Sequence, residues 1–195
     1  MKMIDALNAK FRNFRILKSA EVNILKDGSL DMKSDVLQKL EVVGAAVHSH
    51  FRMTRSEMTA RIKRAMAHSF VDIVFHPTGR ILQHREPYDV DVSALIAEAK
   101  KRRTILEVDS FPSRMDLHDE YIRQAVENGV KLTVDSDAHA MEHFAYLRFG
   151  IGQARRGWAR TNDIVNTLSA AKLEQQLTAW RKFRAKASIM NRDEH

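Results

Sequence analysis

Cysteine is absent from the 195 residues. Disulfides and thiolate metal sites are therefore excluded, and any metal centre must use His, Asp and Glu. The same absence fits a reducing cytoplasm, the compartment expected for this chain. No uninterrupted apolar run reaches the roughly 18 residues of a membrane helix, so no span is expected. The opening residues, MKMIDALNAKFRNFR, carry Asp5 and no apolar segment, which argues against a secretory signal. There is no low-complexity stretch, no Walker loop and no dinucleotide fingerprint. Gly150, Gly152 and Gly157 lie near a predicted strand, but their spacing is wrong for a nucleotide cradle.

What is present is a soluble-type composition, 44% hydrophobic and 29% charged, in a length suited to one core. The net charge is +7 and the pI near 9.8. That excess suits polyanionic partners, nucleic acid first, although a merely basic surface gives the same numbers.

Hydrophobic periodicity divides the chain into alternating strands and helices. Residues 3–13 read as a helix, 14–25 as a strand ending near Glu21 to Asn23, and 34–40 as a short helix capped by Ser34. The continuous apolar run 42–47 suits a strand buried on both faces and ends at His48. Thr54 and Glu57 form a capping box for the next helix. Strands follow at 71–75, 104–108 and 130–134, with helices at 93–103 and 120–128, the latter stopped by Gly129. This pattern predicts an α/β fold with about five parallel strands and right-handed crossovers. After Leu168 an amphipathic helical tail is predicted over 169–195, following a main domain at 1–168. Its stripe is Leu173, Leu177, Trp180 and Phe183, with Arg181, Lys182, Arg184 and Lys186 between them. The tail reads as a docking helix, or as a helix for nucleic acid or a partner.

In parallel α/β barrels the chemistry lies at the C-terminal strand ends. Glu21, His48, His76, and Asp137 with His139 occupy four of the five predicted ends. A lone His after an apolar run is commonly a polar boundary, and Asp135-Ser136 could be a plain strand cap. Repetition of carboxylate and imidazole at successive ends points instead to a thiol-free centre for Zn²⁺, Mn²⁺ or Fe²⁺. Asp137 and His139, two apart, would point the same way on an extended strand end. Arg80 follows His76 in HPTGR, and Arg114 lies in the loop after the strand of Glu107; either guanidinium could hold a phosphate, or be a solvated loop arginine. Metal beside arginine implies hydrolysis of a phosphate ester, the ion lowering the pKa of a water and neutralising phosphoryl charge.

At these residues the sequence resembles the PHP (polymerase and histidinol phosphatase) domain, in the form found at the C-terminus of bacterial and archaeal family X DNA polymerases. The matching stretches are AEVNILKDGSLD, AAVHSHF, FHPTGR, REPYDVD, DSDAHA and FGIGQARRGW, in family order. The resemblance implies a distorted seven-stranded TIM-like βα barrel with a three-metal cluster of Zn²⁺ or Mn²⁺. It also implies phosphoesterase chemistry, with 3′-5′ exonuclease or 3′-end processing of DNA in the polymerase setting. By motif it assigns Glu21 as the bridging carboxylate and His48, His76, Asp137 and His139 as further metal ligands. Glu21, Asp137 and Arg80 would serve catalysis, and Arg80 and Arg114 the substrate. His48-Ser49-His50 is not the family's HxH, which belongs on the first strand.

The family's first HxH, and the acid and histidine after it, have no counterpart here. The resemblance therefore implies a partial barrel, an incomplete cluster and impaired activity. The missing ligands would come from another chain, from a second copy of this one, or not at all. Asn23 stands where the family often has Asp, and Asp109-Ser110-Phe111 where it often has small residues and Asn. Two other readings stand beside the enzyme: a non-catalytic remnant that binds DNA or serves structure, and a histidinol-phosphatase-like enzyme for small molecules.

Overall fold

The computed structural model describes residues 1–190; the end of the predicted tail, 191–195, lies outside the described residues. Five parallel strands form one sheet in the order β1-β2-β3-β4-β5. They are β1 (Ser19–Asn23), β2 (Val42–Ala46), β3 (Ile73–Val74), β4 (Ile105–Asp109) and β5 (Leu132–Asp135). Spatial order repeats chain order, the arrangement expected of one side of a βα barrel.

The helices are α1 (Lys2–Asn8), α2 (Ser34–Leu37), α3 (Arg55–Met66), α4 (Val92–Arg102), α5 (Asp119–Glu127), α6 (Leu147–Arg156) and α7 (Ala170–Met190). The predicted capping box starts α3: Glu57 N–H donates to Thr54 Oγ1, and Thr54 N–H donates to Glu57 Oε2 at 3.0 Å. Gly129, at φ +74°, follows α5 as its stop.

Helix α1 ends earlier than its periodicity suggests. The Asn8 amide turns to Ile16, donating to its carbonyl and accepting from its N–H, both at 2.8 Å. A side chain thus satisfies the backbone where β1 was expected to extend, and the regular strand begins only at Ser19. Helix α6 occupies Gly150 and Gly152, which the sequence had suggested lie near a strand. Gly150 is required there because a Cβ would sit 1.9 Å from Ser110 Oγ.

Alternation along the strands separates two faces. Val22, Val43, Ala45, Val74, Leu106, Val108, Leu132 and Val134 face the main core, packed with Met58, Ile62, Leu95 and Ile122 from the helices. The opposite face divides along the strand direction. At the strand starts, Ile73 and Ile105 pack with Val165, Leu177 and Trp180, so α7 covers that half. Toward the strand ends the same face carries Glu21, Glu107, Asp109 and Asp135.

The tail arginines act within this packing. Asp72, fully buried just before β3, accepts from Arg184 Nη2 at 2.7 Å, from Arg181 Nε at 3.1 Å and from Val43 N–H at 3.0 Å. Arg181 also donates to Leu40 O, and Arg184 to Ser69 O. Among the described residues, no helix is long and apolar enough to cross a membrane.

Candidate metal centre

His48 lies two residues beyond β2 and His76 two beyond β3, while Glu21 sits inside β1 beside Gly44. The parallel register brings the three together. Glu21 Oε1 is 3.1 Å from His48 Nε2 and 3.0 Å from His76 Nε2. Donor atoms of all three residues lie within 4.8 Å of one another. For ligand bonds near 2.0–2.2 Å, adjacent donors of a tetrahedral ion stand roughly 3.3 Å apart, so the spacing fits one divalent ion.

Protonation strengthens the fit. The Asn23 carboxamide donates through Nδ2 to Asp31 Oδ2 at 2.5 Å, which leaves its Oδ1 to accept from His48 Nδ1 at 2.6 Å. A neutral His48 then carries its lone pair on Nε2, aimed at a carboxylate oxygen. Two lone pairs facing each other at that distance need a cation between them, a proton or a metal ion. Where that cation is a proton, hydrogen bonds from His48, and then from His76, hold the Glu21 carboxyl well below the usual carboxylate range. Arg61, buried in α3, donates to Leu25 O at 2.8 Å and Ser49 O at 2.9 Å. It thereby ties the turn after Asn23 to the turn after His48.

His76 is buried at φ +30°. Its N–H donates to Glu107 Oε2 at 2.5 Å, and its buried Nδ1 has no partner. A cleft of about 270 Å³ opens beside it, lined by Glu21, His76, Glu107, Asp135 and Asp137, with Ile73 and Phe75 below. Burial pushes Glu107 up, with Asp135 and Asp109 adding to the effect, and Asp135 is raised chiefly by burial as well. Asp109 is pushed up to about 7, burial first and the Asp137 charge adding to it. None of these three carboxylates was among the site residues expected from the sequence. For two of them the signal was a pair of acids two apart, Glu107 and Asp109, at the end of Ile105-Leu106-Glu107-Val108-Asp109, a strand otherwise apolar.

Asp137 and His139 stand past the end of β5 and do not share an extended strand. Asp137 takes φ +47° and lines the cleft; the His139 side chain is 73% exposed. His139 Nδ1 donates to the Asp137 carbonyl at 2.7 Å, which leaves Nε2 as the lone-pair nitrogen of the neutral ring, a tautomer suited to a ligand. Neither residue joins the group of Glu21, His48 and His76. His50 is also outside that group. Arg114 Nε is 3.4 Å from both Asp109 Oδ2 and Asp137 Oδ2. Arg80 donates to the carbonyls of Arg114 and Met115, so two of its nitrogens hold the Arg114 loop.

No protein-family model matches the chain. It is 42% identical over 173 residues to the DNA polymerase/3′-5′ exonuclease PolX of Bacillus subtilis (strain 168), covering 89% of this chain and 30% of that protein. It is 32% identical over 190 residues to a probable phosphatase of Thermoanaerobacter sp. (strain X514), covering 89% of this chain and 72% of the relative. A probable phosphatase of Caldanaerobacter subterraneus is 28% identical over 195 residues, with 92% and 72% covered. The chain thus spans less than a third of the polymerase and nearly three quarters of the phosphatases. By its identity to the Thermoanaerobacter protein and its coverage of it, the chain belongs to the family of these probable phosphatases.

Proposed function

We propose that the chain is a metal-dependent phosphoesterase of the PHP type, acting on phosphodiesters at the 3′ end of DNA. The observation that carries the reading is the Glu21 carboxylate oxygen set between the Nε2 atoms of His48 and His76, with the His48 tautomer fixed by Asn23. Those three residues would hold a divalent ion, zinc or manganese, and Asp137 and His139 would extend the set from the other side of the cleft. When bound, the ion would lower the pKa of a water and offset phosphoryl charge. Glu21 keeps its charge through the two imidazoles. Arg114, beside Asp137, would face an incoming phosphate, and Arg80 positions it by gripping its loop. The 3′-end substrate rests on the likeness to PolX, and the reaction class on the phosphatases as well.

A second reading, a non-catalytic DNA-binding module, draws on the exposed His139, which stands apart from the three grouped ligands. Purified protein loaded with Mn²⁺ or Zn²⁺ separates the two. Nucleotide release from a labelled 3′ end, lost in Asp137→Ala, is expected of the enzyme. DNA binding with no release at any metal concentration would favour the module. Faster release of phosphate from a small monoester than of nucleotides from DNA would move the substrate to the small-molecule class.

A further inference from the structure

A second feature adjoins the candidate centre. The His139 N–H donates to His143 Nδ1 at 3.1 Å. His143 begins a ring cluster: it stacks on Tyr146 with centroids 5.0 Å apart and planes at 22°, and Phe111 meets both edge-on at 5.2 and 5.3 Å. Phe149 continues the cluster from Tyr146 at 6.2 Å. Phe111 is one of the positions where the sequence departs from the family's small residues.

The backbone of Met141–Tyr146 is a 3-10 helix, so side chains three apart share a face. His143 and Tyr146 lie on the packed face. Met141 and Phe144 lie on another, 87% and 63% exposed. A short helix backed by four rings thus presents an apolar surface to solvent, where burial of a Phe would otherwise be favourable. Arg148, exposed, follows two residues after Tyr146 with its guanidinium 4.8 Å from the Phe149 ring centroid.

We propose that Phe144 and Met141 form a stacking subsite for a nucleobase of single-stranded polynucleotide. Resting on the phosphoesterase reading of the adjoining centre, the inference identifies what lies beyond the scissile phosphate. An unpaired base offers a planar face, and its backbone brings phosphates that complement Arg148 and the net charge of +7. An apolar protein partner would match the rings but not the cations.

The test is independent of hydrolysis. Binding of a short 5′-labelled oligo(dT) is measured by fluorescence anisotropy in EDTA, beside an oligonucleotide of the same length with abasic sites at its 3′ end. Phe144→Ala should weaken oligo(dT) binding about tenfold, the typical loss for one stacked base, and leave the abasic oligonucleotide unchanged. Phe144→Trp should restore oligo(dT) binding. Tyr146→Ala, which removes the backing ring, should act in the same direction as Phe144→Ala. Equal loss on both oligonucleotides, no loss on either, or no binding by the unsubstituted protein would overturn the subsite. The phosphoesterase reading would be untouched by any of these results. Conversely, absence of metal-dependent hydrolysis would leave the binding comparison valid.

Discussion

His76 Nε2 lies 3.0 Å from Oε1 of Glu21, a residue 55 positions earlier in the chain. His48 approaches the same oxygen from the strand between them. Three neighbouring strands therefore each deliver one donor to one point. Asn23, at the end of β1, holds His48, and Arg61 of α3 holds the turns after β1 and β2.

Asn23→Ala removes the acceptor that fixes His48 with its lone pair on Nε2. The loss of such an outer partner typically costs about 10–100-fold in metal affinity. Calorimetric titration of metal-stripped protein with Zn²⁺ should show that loss, with thermal stability in EDTA little changed. Unaltered affinity would mean that His48 does not ligate.

Asp72→Ala leaves Arg181 and Arg184 facing each other without their shared carboxylate, and Arg184 is fully buried. Removing one partner of a buried ion pair costs about 3–5 kcal/mol. Urea unfolding should report a loss of that order. A loss below about 1 kcal/mol would indicate that α7 is held by Leu177 and Trp180 alone.

Asp109 has an ordinary pKa of 3.8 and is pushed up to about 7 in the folded chain. Between those values the folded protein binds more protons than the unfolded, so metal-free stability falls as pH rises through this window and levels off above it. Asp109→Asn abolishes that titration. The variant should gain stability relative to the parent from pH 4 toward pH 7, measured by thermal melts in EDTA. A stability difference independent of pH would place the titration elsewhere.

The parallel sheet and three residues of the candidate centre were legible because each rests on a local rule. Continuous apolar runs mark strands buried on both faces, and His48 and His76 each stand two residues past a strand. The 135–139 stretch does not have the geometry its spacing suggests. Two residues apart on a strand share a face, yet Asp137 adopts a left-handed conformation past the strand end, and His139 Nδ1 turns back to its carbonyl at 2.7 Å and its carboxylate at 3.7 Å. Glycine hid α6, since Gly150 and Gly152 weaken its helical signal while Gly150 serves close packing on Ser110. The roles of Arg181 and Arg184 were hidden for a different reason. On the helix they look like a solvated basic face, and their partner Asp72 lies more than 100 residues away.

The central claim is that Glu21, His48 and His76 bind the divalent ion that phosphoester hydrolysis requires. The most direct measurement is a titration of metal-stripped protein with Mn²⁺ or Zn²⁺, following binding and nucleotide release from a 3′ end in the same samples. Binding and release should rise together and saturate, and both should be lost in His76→Ala and Glu21→Gln. Release that persists in EDTA, or full binding and release by the Glu21→Gln protein, would contradict it.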